Sequence, residues 1–347
     1  MDMKRLLLCL AGMISGVILA AAPVQAADVV WPKKLVVAIS ASGNPVAMVT
    51  QGIAATLEKH TPIERVIVQP MGGIMNFGPR AERGQVDMVL FSAPEIFNAM
   101  YGRGDYVKKA FPFFRTLTGA AYQPFVVYTT PDKGIRTIAD LKDKIIYSRN
   151  PGNTMFDPIV NALLHSAGLE QKDLKANLTK TNNAMATAAV IEGRADAIIA
   201  PAMSNITLEL RQAKGECMMI TPTDEEAARL KDKLPLGYTI QDIPAGNVEY
   251  ANTEALENSP VYRNAIFVTD RMAPELAEAI LDTMITYKDE WSGIHAAGAS
   301  FGTLSPSLPL LHEGARAWYE KHGMLTDEIK AEQEQYAKEL GVATGGK

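Results

Sequence analysis

Residues 144–168, KIIYSRNPGNTMFDPIVNALLHSAG, decide how this chain is read. Ile145, Ile146 and Tyr147 form a short apolar strand, and residues 148–153 are rich in turn formers. Thr154 is placed to cap a helix whose apolar face is Ile159, Val160, Leu163 and Leu164, and Gly168 ends it. A helix that starts behind a glycine-containing loop offers free backbone N–H groups and a partial positive charge. Arg149 adds a full charge and a planar donor fork. The loop is therefore a candidate wall of a site for an anion or polar ligand, with Arg149, Gly152, Asn153 and Thr154 as its contacts. An ordinary strand-to-helix connection has the same composition, so the rest of the chain must decide between the two.

At the start of the chain, Lys4 and Arg5 precede an apolar run over residues 6–22, and the small-residue ending Val24-Gln25-Ala26 follows. This is the pattern of a secretory signal peptide, residues 1–26, cut after Ala26 or Ala27. The apolar run is shorter than the ~20 residues a membrane span needs. No later segment approaches that length, so the expectation is an exported, periplasmic protein. The full chain of 347 residues carries a net charge of −5, which argues against nucleic acid as a partner. Its length suggests about two domains. Once the leader is removed only Cys217 remains, so no intramolecular disulfide is expected and stability must come from core burial.

The order of elements gives the fold class. Residues 35–40 (LVVAIS) read as a strand, followed by the turn Ala41-Ser42-Gly43-Asn44-Pro45 and a helix with Val46, Val49, Ile53 and Leu57 on one face. A strand at 65–69 leads to the sharp loop Pro70-Met71-Gly72-Gly73 and a short helical segment near Asn76. Pro79 is expected in its first turn. A third strand, 87–91, precedes a helix over 92–101. Strands alternating with helices mean parallel pairing with helical crossovers. Ligands of such sheets sit beyond the carboxyl ends of the strands, which places Ser42, Gly43, Asn44, Gly72, Gly73, Met75, Asn76 and Ser92 around one cleft edge.

A second series follows residues 125–129. It has a short helix from Thr137, the opening stretch, a strand at 175–179, an alanine-rich helix capped by Asn182, a strand at 195–200, a helix from Ser204, a strand at 218–221 and a capping box at Thr223–Glu226. Residues 234–260 have weak periodicity and three prolines and read as a return crossover. A strand at 265–269, a helix through Leu276 and Met284, and two helices near 313–321 and 326–340 complete the chain. The two series fit an α/β protein of two similar lobes, with parallel-rich sheets flanked by helices. Lobe I is 27–125 plus 246–347, and lobe II is 126–245.

Catalytic motifs are weak. Gly298-Ala299-Ser300-Phe301-Gly302 matches the nucleophile-elbow spacing, but Thr303-Leu304-Ser305-Pro306 opposes the helix that should follow. His60, His165, His295, His312 and His322 form no metal-ligand spacing and read as surface or capping groups. Cys217, before an apolar strand, reads as a packed small hydrophobe. No enzyme activity and no cofactor are expected. Met71, Met75, Met155 and Met203 fall near cleft loops. Core packing explains any one of them, whereas the set would make an adaptable apolar wall.

Four segments in this order resemble the TAXI-type solute receptors of TRAP transporters. They are the strand and glycine loop at 40–44, Gly72-Gly73 followed by ERGQVDMVL at 82–90, TIADLKDKIIYSRNPGNT from Thr137, and LPLLHEGARAWYEKHG at 308–323. The resemblance spans about residues 34–341. It implies a two-lobed Venus-flytrap clamp, the periplasmic binding protein fold, with hinges near 124–128 and 237–247. It also implies a monomeric receptor that takes a small organic anion, a carboxylate or amino acid, and delivers it to integral membrane TRAP transporter subunits. Val46, Ala47 and Ile74 stand where the family often has aromatic or hydroxyl residues, which makes the cleft less polar. A binding protein of an ABC importer has the same lobes and is the alternative, and a hydrolase comes third.

Overall fold

The structure is a computed structural model that describes residues 29–40, 45–150, 155–180 and 182–342. The leader, residues 1–26, lies outside the described residues, as do Ser42, Gly43, Asn44, Gly152, Asn153 and Thr154.

The first half of the chain is built as the alternation predicts. Strand β1 (Lys34–Ile39) pairs in parallel with β2 (Arg65–Pro70) and β3 (Met88–Ser92). The crossovers are α1 (Pro45–His60) and α2 (Ile74–Glu82), and α3 (Ala93–Met100) follows β3. Both faces of β1 are buried because helices cover both, so its sequence is apolar throughout instead of alternating. Leu35, Val37 and Ile39 pack on α1, while Val36 and Ala38 pack toward α2 and α3. Pro79 is a departure from the sequence expectation, because it lies inside α2, beyond the first turn. The helix is short, Met75 one turn before the proline is 51% exposed, and Ile74, Phe77 and Ala81 anchor the opposite face. Water can therefore satisfy the carbonyl that proline leaves without a donor.

The second half contains β5 (Ile145–Arg149), α4 (Phe156–Ser166), β6 (Ala176–Thr179), α5 (Asn183–Ile191), β7 (Ala197–Pro201), α6 (Ser204–Lys214), β8 (Met218–Ile220) and α7 (Asp224–Lys231). Here β5 pairs in parallel with β6 and β7. Two caps read from sequence are present: Asn182 accepts the Met185 N–H at 2.8 Å, and Thr223 and Glu226 form a capping box. The helix expected to be capped by Thr154 instead begins at Phe156 behind Met155, which makes no side-chain cap, and Thr154 lies outside the described residues. The C-terminal helices are α8 (Pro274–Thr286), α9 (Glu313–Lys321) and α10 (Asp327–Leu340).

Two strands join the halves, and both are longer than their sequence signals. β4 (Phe114–Thr129) and β10 (Leu256–Thr269) pair antiparallel with one another. Residues 264–268 of β10 pair with β3, whereas residues 125–128 of β4 pair with β7. Strand order is β2-β1-β3-β10-β4-β7-β5-β6, with β8 on β4 and β9 (Tyr238–Ile243) on β10. The region read as a return crossover of weak periodicity, 234–260, thus holds β9 and the start of β10. Gly119, Pro124 and Pro260 interrupt the sequence pattern, and burial on both faces removes the alternation that would reveal a strand. The result is a two-lobed α/β fold, each lobe a sheet section with helices on both faces.

Candidate functional site

The two lobes meet at a cleft of about 510 Å³. Four helices begin at its walls. Pro45, Val46 and Ala47 open α1, Ser92 precedes α3, Met155 precedes α4, and residues 202–205 lead into α6. The C-terminal ends of β1 and β3 supply Ile39, Ser40, Leu90 and Phe91. This is the placement the strand-end rule predicts. The residues that precede α3, α4 and α6 make no side-chain cap onto the helices they open. A ligand at the centre therefore meets several helix N-termini and their partial positive charge.

The start of α6 is held firmly. The Tyr128 hydroxyl accepts the Met203 N–H at 2.6 Å, and the Ser204 N–H donates to the Glu249 carbonyl at 3.1 Å. The start of α4 is tied to the opposite lobe. Glu95, 1% exposed on α3, accepts the Met155 N–H at 2.9 Å and the Tyr106 hydroxyl at 2.6 Å. The Tyr238 hydroxyl donates to the Met155 carbonyl at 3.3 Å. Gly237, with φ +85°, lets the chain before β9 pass against Pro94 at the head of α3, where a Cβ would come within 2.8 Å of the Pro94 nitrogen.

Of the residues proposed from sequence, Ser92 and Met203 line the cleft. Gly72 takes φ +70° in the turn after β2, Gly73 precedes α2, and Met75 and Asn76 are exposed on that helix. Arg149 ends β5 with an exposed side chain, and its carbonyl accepts the Lys180 N–H at 3.0 Å. None of these five is among the described residues that line the cleft. Of the four methionines, Met155 and Met203 reach the wall, whereas Met71 packs against the core and Met75 faces outward.

Sequence reasoning missed Gln123, Glu249, Tyr262 and Asn264, which also line the cleft. They come from the two joining strands and the turn before β10, segments with no local motif. Gln123 donates to the Glu249 carboxyl at 3.2 Å. Burial pushes the Glu249 carboxyl up to about 7, against the opposing effect of hydrogen bonds from Tyr250 and Gln123.

The other singled-out motifs have structural duties. Residues 296–300 form a 3-10 turn, with no strand leading into Ser300. His295 and His312 accept N–H groups at the starts of that turn and of α9. Burial pushes the Cys217 thiol up to about 12, so it stays protonated and inert.

Lys180 is a buried cation that the sequence did not flag. It is 2% exposed, donates to the Ile199 carbonyl at 3.3 Å, and lies 5.6 Å from the centre of the Phe156 ring. Burial lowers its ammonium to about 8. At pH 7 the group is charged in both the folded and the unfolded chain, and the folded chain carries the desolvation cost. As pH rises through 8 the folded state loses its proton first, so stability increases toward the ordinary lysine range. Lys180→Met is therefore expected to stabilise the fold by about 2 kcal/mol at pH 7. Urea unfolding at pH 7 and pH 10 checks this: the gain should shrink at the higher pH, and a destabilised variant at pH 7 would contradict it.

Comparison with known proteins bears on the site as a whole. The model of the NMT1-like family matches residues 48–323. Among solved structures, a TctC solute-binding protein from Polaromonas aligns at TM-score 0.51 and 12% identity, covering 90% of this chain and 97% of that one. XAC2383 from Xanthomonas citri aligns at 0.51 and 11% in its chloride-bound form, and at 0.52 and 10% in its ATP-bound form. Both alignments cover 89% of this chain and 98% of that one. At these identities the likeness is one of fold. No curated protein sequence matches.

Proposed function

The chain belongs to the NMT1-like family, and we propose on that premise that it is a periplasmic solute receptor. It binds a small organic anion, a carboxylate or amino acid, in the inter-lobe cleft. It then delivers this ligand to membrane subunits of a TRAP transporter, as a TAXI-type receptor. One observation carries this reading: α1, α3, α4 and α6 all begin at the wall of a single cleft between two lobes. That arrangement favours negative charge on the ligand without a dedicated basic side chain. The apolar share of the wall, including Leu90, Phe91, Met155 and Met203, suits a ligand with a carbon skeleton of some size.

The reading includes the residues that directly precede two of these helices in sequence. Ser42, Gly43 and Asn44 directly precede α1 in sequence, and Gly152, Asn153 and Thr154 directly precede Met155. Arg149 and the segment from Gly72 to Asn76 are proposed as outer contacts in the ligand-bound, closed state. The lobes are taken as 27–125 with 246–347, and 126–245, moving as a monomeric clamp about β4 and the chain near β9.

A thermal-shift screen of organic acids and amino acids tests the proposal. A ligand at 100 times its dissociation constant should stabilise the protein by about 2.7 kcal/mol. Small-angle scattering should then show a smaller radius of gyration with ligand bound. A saturating ligand that leaves the radius unchanged would argue for a rigid site and against the clamp.

A further inference from the structure

The cleft has one charged lining residue among those described, and it is acidic. Glu249 sits beside the start of α6, facing Gln123 of β4. Its backbone is fixed on both sides: the N–H donates to the Asn247 side chain at 2.9 Å, and the carbonyl accepts the Ser204 N–H at 3.1 Å. No lysine, arginine or histidine lines the cleft among the described residues. The two stretches of sequence that directly precede α1 and α4, Ala41-Ser42-Gly43-Asn44 and Pro151-Gly152-Asn153-Thr154, contain no charged residue.

A half-buried carboxyl in an apolar-walled cleft is unfavourable in the empty protein. Its partners there, Gln123 and Tyr250, are neutral, and it gains a charged one only when something cationic enters. We propose that Glu249, with Gln123 beside it, forms a subsite for a protonated amine of the ligand, while the helix N-termini hold its carboxylate. This rests on the solute-receptor reading and narrows it: the ligand is an amine-bearing carboxylic acid rather than a dicarboxylate or plain fatty or aromatic acid. The groups that act on the Glu249 carboxyl are the Gln123 amide and the Tyr250 hydroxyl, with burial as the largest influence. Among the described residues no charged side chain acts on it, so in this proposal a ligand ammonium supplies the charge that favours its ionised form.

The test compares matched acids with and without the amine: L-leucine against 4-methylpentanoate, L-phenylalanine against 3-phenylpropanoate, and L-glutamate against glutarate. Calorimetry is run on wild type and on Glu249→Gln, an isosteric change that keeps an oxygen acceptor for Gln123. In at least one pair the amine-bearing member should bind wild type tenfold or more tightly than its partner. Glu249→Gln should abolish that preference by weakening only the amine-bearing member. The preference should grow from pH 6 to pH 8 in wild type and stay flat in the variant. Equal or tighter binding of the amine-free acids, with closure seen by scattering, would overturn the Glu249 subsite and leave the receptor reading intact. A preference unchanged in Glu249→Gln would do the same. Binding of neither member of any pair would overturn both readings.

Discussion

Arg263→Leu should destabilise the protein by about 3–5 kcal/mol. Arg263 lies in β10 where the strand passes between the lobes, and it is 4% exposed. No carboxylate among the described residues pairs with it. Instead its guanidinium donates to the Ala120 carbonyl at 2.9 Å, the Ser300 carbonyl at 2.8 Å, the Thr303 hydroxyl at 2.8 Å and the Ser305 hydroxyl at 3.0 Å. Its guanidinium carbon lies 4.1 Å from the centre of the Tyr122 ring. A register shift in the β4–β10 ladder occurs between Arg263 and Ala265, and Arg263 bridges from there to the 300–305 loop. Gly119 belongs to the same device: a Cβ there would lie 2.4 Å from the Thr303 carbonyl oxygen and 2.7 Å from the guanidinium carbon. Leucine fills part of the volume but leaves several buried oxygens without donors, which is the costly case. Arg263→Lys should recover only part of the loss, because one ammonium cannot reach all of these oxygens. Denaturant unfolding followed by circular dichroism measures both variants. A loss below about 1 kcal/mol for Arg263→Leu would mean that water replaces the guanidinium.

The second large effect is expected at Glu95. Its carboxyl joins α3 of one lobe to the first turn of α4 in the other, through the Met155 N–H. It also takes the buried Tyr106 hydroxyl. Glu95→Ala should cost about 2–4 kcal/mol, because two donors lose their acceptor in a site closed to solvent. The helix also loses a negative group near its positive end. Glu95→Gln keeps a side-chain oxygen and should restore a good part of the stability. Since Met155 lines the cleft, Glu95→Ala should also change the scattering profile of the ligand-free protein, as the link between the lobes is released. An unaltered profile together with unaltered stability would show that this contact does not hold the lobes.

Much of this protein was legible in local sequence. The 3.6-residue spacing of Val46, Val49, Ile53 and Leu57 marked α1, and the buried face of that helix is the one it implied. Asn182, Thr223 and Glu226 announced their caps because side-chain capping is decided within three or four residues. The alternation of strands and helices carried the α/β class, and the strand-end rule pointed to the cleft edge that Ser92 occupies. Pro79 misled because proline's cost inside a helix depends on whether its orphaned carbonyl faces water, a tertiary matter.

The sequence by itself determined most of the helices, the shorter strands and the turns between them, because those properties rest on neighbours within a few residues. Only the tertiary structure decided how the lobes are joined and what the cleft presents. β4 and β10 pair along most of their length although more than a hundred residues separate them, and their inner residues are buried on both faces, so no period betrays them. Gln123 meets Glu249 across 126 positions of sequence, and Glu95 meets Met155 across 60. A carboxyl becomes a candidate ligand contact, or a link between lobes, through the burial and partners that the fold brings to it, and neither is written in the residues beside it.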